Sequence, residues 1–142
     1  MPQLVQNGFK GMVHDAIIKR WMQNNTAYTV IYKQNQKKLE STFTSEGKWL
    51  NTSSIINWED LPDAVKNGLS ESHYSDWTVF GLIQIDSSDG NKIYALVVDN
   101  ANQYLGAGLG DGDGGFTEIY KIYFSSQGKF IGNKIQYDYK LL

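Results

Sequence analysis

Two histidines are the residues of this 142-residue sequence that most resemble parts of a catalytic site. His14 is followed directly by Asp15, and His73 lies three positions before Asp76. A histidine oriented by a carboxylate can activate a nucleophile, but such a triad also needs a hydroxyl or thiol held nearby in space. Spacing alone identifies no such nucleophile. We therefore interpret both pairs as polar connections after a helix, and the sequence predicts no catalytic residue and no enzymatic activity.

A glycine-rich stretch, YLGAGLGDGDGGF at 104–116, is the second candidate for chemistry. Positions 110–115 match the G-x-G-x-x-G pattern, which binds dinucleotides where a strand leads through the glycines into a helix. The residues after this stretch are instead typical of a strand, and Asp111 and Asp113 would repel a phosphate. The sequence therefore predicts no nucleotide site and no cofactor.

The same stretch could bind calcium, because Asp111 and Asp113 are two positions apart and Glu118 follows them. Calcium takes roughly 6–8 oxygen ligands, mostly from carboxylates and backbone carbonyls. The three acids supply part of that set, and the remaining acids of an EF-hand are missing. Two interpretations stay open. One is calcium or small-ligand binding through 104–116, which is the alternative function, and the other is a long turn whose acids aid solubility.

The composition argues against several classes of protein. The chain has no cysteine, which rules out disulfides, thiolate nucleophiles and cysteine-based zinc sites. A net charge of −2 and the lack of a long Lys/Arg run argue against nucleic acid as a partner. No apolar run approaches the roughly 20 residues of a membrane span. A hydrophobic content of 41% and an aromatic content of 13% indicate a globular, β-rich protein.

The elements that carry these residues follow from an internal repeat. Segment 1–9 matches 61–69 at an offset of 60, with a proline, a valine and an Asn-Gly pair in common. Segment 41–50 matches 122–131 at an offset of 81, with a phenylalanine, a serine and a Gly-Lys pair in common. The matches keep their order, so two similar halves follow each other. The stretch 104–116 is then an insertion that only the second half carries.

Each half is predicted to be one helix followed by a meander of strands. Apolar residues recur at helical spacing at the start of each half, and β-branched and aromatic runs separated by turn residues follow. The fold class is therefore α+β: two tandem helix–β4 repeats form one continuous antiparallel sheet of about eight strands, with the helices packed on one face. We expect a single domain over 1–142, with repeat one at 1–56 and repeat two at 57–142. Asp60 is expected to be the N-cap of the second helix.

The aromatic residues of the chain are candidates for binding a partner on the uncovered face of this sheet. In the strand 26–34, Tyr28 and Tyr32 alternate to one side, whereas Thr29 and Ile31 alternate to the other, and the sequence does not tell which side is open. The rings could equally serve to cover an open sheet. The candidate residues for a protein partner are Tyr28, Tyr32, Tyr104, Leu105, Leu109 and Phe116.

Both repeats share a set of motifs: a proline, a valine and an apolar residue near a helix start, then strands that close on a phenylalanine and a Gly-Lys pair. The residues in these motifs are Pro2, Val5, Phe9, Trp21, Phe43, Gly47 and Lys48 in repeat one, and Pro62, Val65, Leu69, Phe124, Gly128 and Lys129 in repeat two. The pattern resembles the PepSY-like, β-lactamase-inhibitor-like family over nearly the whole chain. Leu69 departs from it where an aromatic residue is usual, and the loop at 104–116 is longer than in the family.

The resemblance implies a fold similar to the β-lactamase inhibitory protein (BLIP), which has two helix–β4 repeats and a concave sheet that grips an enzyme. It also implies a secreted or periplasmic bacterial protein, of a kind frequent in gut Bacteroidetes, in which Met1 replaces a removed leader. The motifs are structural, and no inhibitory residue is carried over with them. The leading hypothesis is a non-enzymatic, exported binding protein whose partner is an unidentified protein or peptide of the envelope or the extracellular space.

Overall fold

The computed structural model of the chain describes residues 1–101 and 117–142. The helical elements are α1 (Gln3–Met12), a 3-10 helix (Trp58–Asp60) and α2 (Asp63–Ser70). The strands are β1 (Ile17–Asn24), β2 (Ala27–Gln34), β3 (Lys37–Thr44), β4 (Trp49–Ile55), β5 (Thr78–Ser87), β6 (Lys92–Asp99), β7 (Ile119–Ser125) and β8 (Phe130–Gln136). We call residues 137–141, which follow β8, the tail. No described helix is long and apolar enough to cross a membrane.

All eight strands belong to one antiparallel sheet whose spatial order follows the chain from β1 to β8. Together with the two helices, this sheet confirms the predicted α+β class. The described chain divides into two compact units: the first holds Met1–Ile55, Ile85–Asn91 and Leu142, and the second holds Ile56–Gln84 and Lys92–Leu141. The assignment of a single domain to 1–142 stays a prediction.

The core of the first unit lies between α1 and one face of its strands. Val5 and Phe9 are four positions apart, so they share one face of α1, and both are buried. They pack on Val30, Tyr32 and Phe43. The ring of Phe9 meets those of Tyr32 and Phe43 edge-on, with centroids 4.9 Å and 6.2 Å away. Aromatic pairs favour this geometry, which adds to the gain from burial.

The core of the second unit repeats this arrangement with different side chains. Val65 and Leu69 share the buried face of α2. They join a cluster that includes Leu96, Ile122 and Phe124, all fully buried. Phe124 matches the core phenylalanine of β3 at the offset of 81, so the repeat found in the sequence is also a repeat of core positions.

The matched glycines let each helix approach a hairpin turn. A Cβ on Gly8 would clash with the carbonyl oxygen of Gly47, and a Cβ on Gly68 would clash with that of Gly128. Gly47 and Gly128 both have a φ of 86°, a backbone conformation that residues with a Cβ rarely adopt. These residues carry much of the family resemblance, and their role here is to allow two backbones to touch.

The predicted N-cap of the second helix is wrong. α2 begins at Asp63, and Pro62 takes the N-cap position without a side-chain hydrogen bond. The carboxylate of Asp60 instead accepts a hydrogen bond from the N–H of Asn57, at 3.1 Å. Together, Asn57 and Asp60 form a capping box on the 3-10 helix, so Asp60 caps the turn before the one that the sequence pattern indicated.

Candidate binding surfaces

Most of the predicted site residues lie outside the described part of the chain. These residues are Tyr104, Leu105, Leu109, Asp111, Asp113 and Phe116. Glu118 is described and exposed, and its N–H donates to the side-chain oxygen of Asn100 at 2.8 Å. Within 1–101 and 117–142, no group of three or more His, Cys, Asp or Glu side chains could hold a metal ion. The calcium hypothesis depends on Asp111 and Asp113, so it stays a prediction.

The two tyrosines of β2 lie on the side of the strand that faces α1. Tyr32 is only 2% exposed, and its hydroxyl shares a hydrogen bond of 2.9 Å with the Ser41 hydroxyl. Tyr28 is half-buried and packs against the same core. The ring of Tyr32 therefore offers no surface to a partner. The other side of β2, with Thr29 and Ile31, faces away from the helix.

The two histidines lie in the predicted connections between a helix and a strand. His14 is exposed between α1 and β1, and His73 is exposed between α2 and β5. The His73 ring meets the Tyr74 ring edge-on at 5.3 Å, while the Asp76 carboxylate accepts a hydrogen bond from the hydroxyl of Ser75. Asp76 therefore binds the adjacent Ser75, and the His73 ring belongs to a cluster of aromatic side chains.

The first candidate surface is the sheet face opposite α2. In β6, Leu96 and Val98 belong to the core beneath α2, and Ala95, Val97 and Asp99 alternate with them and point to the other face. All three are nevertheless buried. A nearly continuous apolar run is typical of a strand buried on both faces, and KIYALVVD has that pattern. This run was a signal in the sequence that the second face of the sheet is also covered.

The tail contributes to that cover. The ring of Tyr139 lies against Phe80, with centroids 4.4 Å apart, and its hydroxyl hydrogen-bonds the carboxylate of Asp99. The methyl groups of Leu141 fill the space that a Cβ on Gly81 would occupy. A segment without regular secondary structure is therefore bound to the face opposite α2 through one aromatic side chain, one aliphatic side chain and one buried acid.

The environment of Tyr139 keeps its hydroxyl protonated. Desolvation, the negative charge of Asp99 and the hydrogen bond to that carboxylate all raise the pKa of Tyr139 above its usual 10.0. A second donor to Asp99 is the backbone N–H of Ala101, at 3.1 Å. The buried carboxylate thus accepts hydrogen bonds from one backbone group and one tail side chain.

The second candidate surface is an aromatic cleft beside β8. Its walls are Ser72, His73, Tyr74 and Phe130, and its volume is about 270 Å³. The ring of Tyr74 stacks on Phe130 at 6.2 Å, and Asn133 donates a 2.6 Å hydrogen bond to the Tyr74 hydroxyl. These contacts fix the orientation of the tyrosine in the wall of the cleft.

The cleft comes from a difference between the repeats. The connection between α1 and β1 spans 13–16, whereas that between α2 and β5 spans 71–77 and supplies the three residues that line one wall. The contact of this connection with Phe130, at the far end of the second half, cannot be read from the sequence.

Comparison with solved structures identifies the same architecture in bacterial proteins. A DUF2874 family protein from Bacteroides uniformis has a TM-score of 0.78 and 21% identity, over 95% of this chain and 89% of that one. A candidate periplasmic protein from Bacteroides eggerthii has a TM-score of 0.77 and 22% identity, over 94% and 88%. A BLIP-like protein from Bacteroides fragilis has a TM-score of 0.70 and 21% identity, over 99% and 91%. No protein-family model and no curated protein matches the chain.

These similarities define the class of the fold. The chain has a BLIP-like fold, as the sequence motifs implied, and the similarity extends over almost the full length of each structure. At identities near 20%, the likeness concerns the fold alone. Membership of the PepSY-like family stays a prediction.

Proposed function

We propose that this protein is a non-enzymatic, exported binding protein of the PepSY-like class. It holds an extended segment of an envelope or extracellular protein on the sheet face opposite α2. The observation that carries this proposal is the tail itself, because Tyr139 and Leu141 already occupy that face. A surface that binds one segment of its own chain has the chemistry to bind a segment of another.

The contacts of the tail indicate which residue types the partner's segment needs. An aromatic residue with a hydroxyl reaches Asp99, and an aliphatic residue two positions later fits over Gly81. Both side chains of an extended segment at positions i and i+2 point to the same side, so one short segment can make both contacts. The partner therefore displaces the tail and replaces its interactions.

The solved structures support the general class. One is described as a candidate periplasmic protein and another as BLIP-like, and neither description names an enzyme. The periplasmic description agrees with the exported location in the hypothesis from the sequence, and the BLIP-like description agrees with its fold.

Partner capture with three versions of the full chain tests this function. The Tyr139→Ala/Leu141→Ala variant removes both tail contacts and opens the face. Tyr137→Ala is the matched control, since Tyr137 belongs to the same tail but is 88% exposed. The opened variant should retain a specific protein from an envelope extract more strongly than the unsubstituted chain or the control.

A blocked peptide with the sequence of residues 136–141 provides the competition arm. It should release the captured protein, because both occupy one face. Equal capture by all three versions, or capture that the peptide does not reduce, would contradict binding at the face opposite α2.

A further inference from the structure

The outer edge of β8 is a second place where an extended chain can bind. β8 pairs with β7 and is the last strand of the sheet, so no strand of the described residues pairs with its other side. Such an edge presents a row of backbone N–H and C=O groups that can pair with another chain. Several peptide-binding proteins use an edge in this way, by adding the peptide as a further strand.

The internal repeat provides an occupied copy of the same edge. At the offset of 81, β8 corresponds to β4, and both strands have a bulge at the matched position, Leu50 in β4 and Ile131 in β8. In the first unit the carbonyl of Leu50 accepts a hydrogen bond of 2.9 Å from the N–H of Ser88. The carbonyl of Ile131 has the equivalent place on the outermost strand, where the sheet stops.

The side chains of β8 do little to discourage pairing. The opposite edge strand, β1, carries Lys19 and Arg20 in succession, and charged residues of this kind protect edges against unwanted strands. β8 has one lysine, Lys134, and exposes Ile131 by 53% and Ile135 by 47%. Ile17 and Ile18 of β1 are similarly exposed, so the two edges differ in their charge and not in their apolar exposure. An edge with this much exposed apolar surface favours a strand that brings apolar side chains of its own.

The aromatic cleft lies directly beside this edge. Phe130 is the first residue of β8 and also one wall of the cleft, and Asn133 of β8 holds the hydroxyl of Tyr74. Both point to the side of the sheet that carries α2, because their partners in β7 are Phe124 and Ile122 of the core. A strand added to β8 would therefore place alternate side chains toward the cleft, which has room for one large apolar residue.

We propose that β8 binds an extended, acidic peptide segment of another protein as an additional antiparallel strand, with an aromatic or large aliphatic side chain in the His73–Tyr74–Phe130 cleft. The charge around the edge selects this occupant. Lys129, Lys134 and Lys140 lie in and next to β8, against two acids, Asp138 and Glu118. Pairing with a second copy of β8 would bring lysines of like sign together, which is unfavourable across paired strands.

A designed peptide tests the proposal on the full chain. The probe is a blocked nine-residue peptide of alternating valine and glutamate with one central phenylalanine, and NMR follows the backbone amides of β8. Strand addition should shift those amides with a dissociation constant between about 10 μM and 1 mM. Ile131→Glu should weaken binding by about tenfold, because it places a charge on this edge and sets it against the glutamates of the peptide.

Matched control variants distinguish a loss of binding at the β8 edge from a general effect of substitution on the protein. Ile17→Glu is the control, since Ile17 is 64% exposed on β1, and it should leave binding within about twofold. His73→Ala should weaken binding, whereas His14→Ala, in the equivalent connection of the first repeat, should not. Thermal unfolding of each variant verifies that it folds.

Three results would overturn the proposal: no shift of β8 amides up to about 5 mM peptide, equal losses with both Ile→Glu variants, or a dimer that only Ile131→Glu abolishes. The last result would assign the edge to a second copy of the chain. The edge is separate from the face that holds the tail, so substitution of Tyr139 and Leu141 tests the proposed function without testing this inference.

Discussion

Replacing Gly8 by alanine is the sharpest test of how the helices are positioned. Alanine favours a helix interior over glycine by about 1 kcal/mol, so propensity alone predicts a more stable protein. The new Cβ, however, would clash with the carbonyl oxygen of Gly47, which belongs to a backbone and cannot turn aside as a side chain does. Overpacking a tight contact costs about 1–3 kcal/mol, and the rigid neighbour favours the upper part of that range. We expect a net destabilisation of about 1–2 kcal/mol.

Gly11→Ala is the control for this substitution. Gly11 lies one turn further along α1, and a Cβ there would meet nothing within 4 Å. The same change should therefore stabilise the protein by about 0.5–1 kcal/mol. Thermal unfolding followed by circular dichroism measures both, at about 3–4 °C per kcal/mol for a chain of this length. A Gly8→Ala variant as stable as Gly11→Ala would refute the close approach of helix and turn.

Three further predictions concern the second repeat, the first core and the tail. Gly68→Ala should reproduce the loss seen at Gly8, since its Cβ would clash with the turn of its own repeat. Ser41→Ala should lower the free energy of unfolding, measured in urea, by about 1–3 kcal/mol, because the buried Tyr32 hydroxyl loses its partner. The raised pKa of Tyr139 means that tail docking is intact below pH 10.0 and is lost as the pH rises through the raised value. Tyr139→Phe should abolish that loss in an NMR titration of the Leu141 methyl protons, which do not exchange with water.

The repeat made much of the fold predictable from the sequence. The sequence showed that Gly47 and Gly128 occupy equivalent hairpin turns, and the structure confirms this with the same positive φ at both. These positions depend on local backbone geometry, which a short motif specifies well. The error at Asp60 also has a local origin, because a 3-10 turn just before α2 uses the same kind of cap as a helix.

The candidate surfaces were less predictable, because they depend on contacts between distant parts of the chain. Tyr32 looked like a binding residue, and only the packing of α1 shows that its side of β2 is the core. Leu141 over Gly81 and Asn133 at Tyr74 each join segments about sixty residues apart. No periodicity or motif encodes such pairs, so the sequence could identify aromatic residues as candidates but could not assign them to a face.

The affinity of the opened face for the tail sequence tests the proposed function most directly. Calorimetry and NMR would measure binding of the blocked 136–141 peptide to the Tyr139→Ala/Leu141→Ala variant and to the Tyr137→Ala control. We predict a dissociation constant between about 10 μM and 1 mM for the opened variant, shifts at Gly81 and Asp99, and binding at least about tenfold weaker to the control. Equal binding to both, or no shift at Gly81 and Asp99, would contradict the claim that this face holds an extended segment.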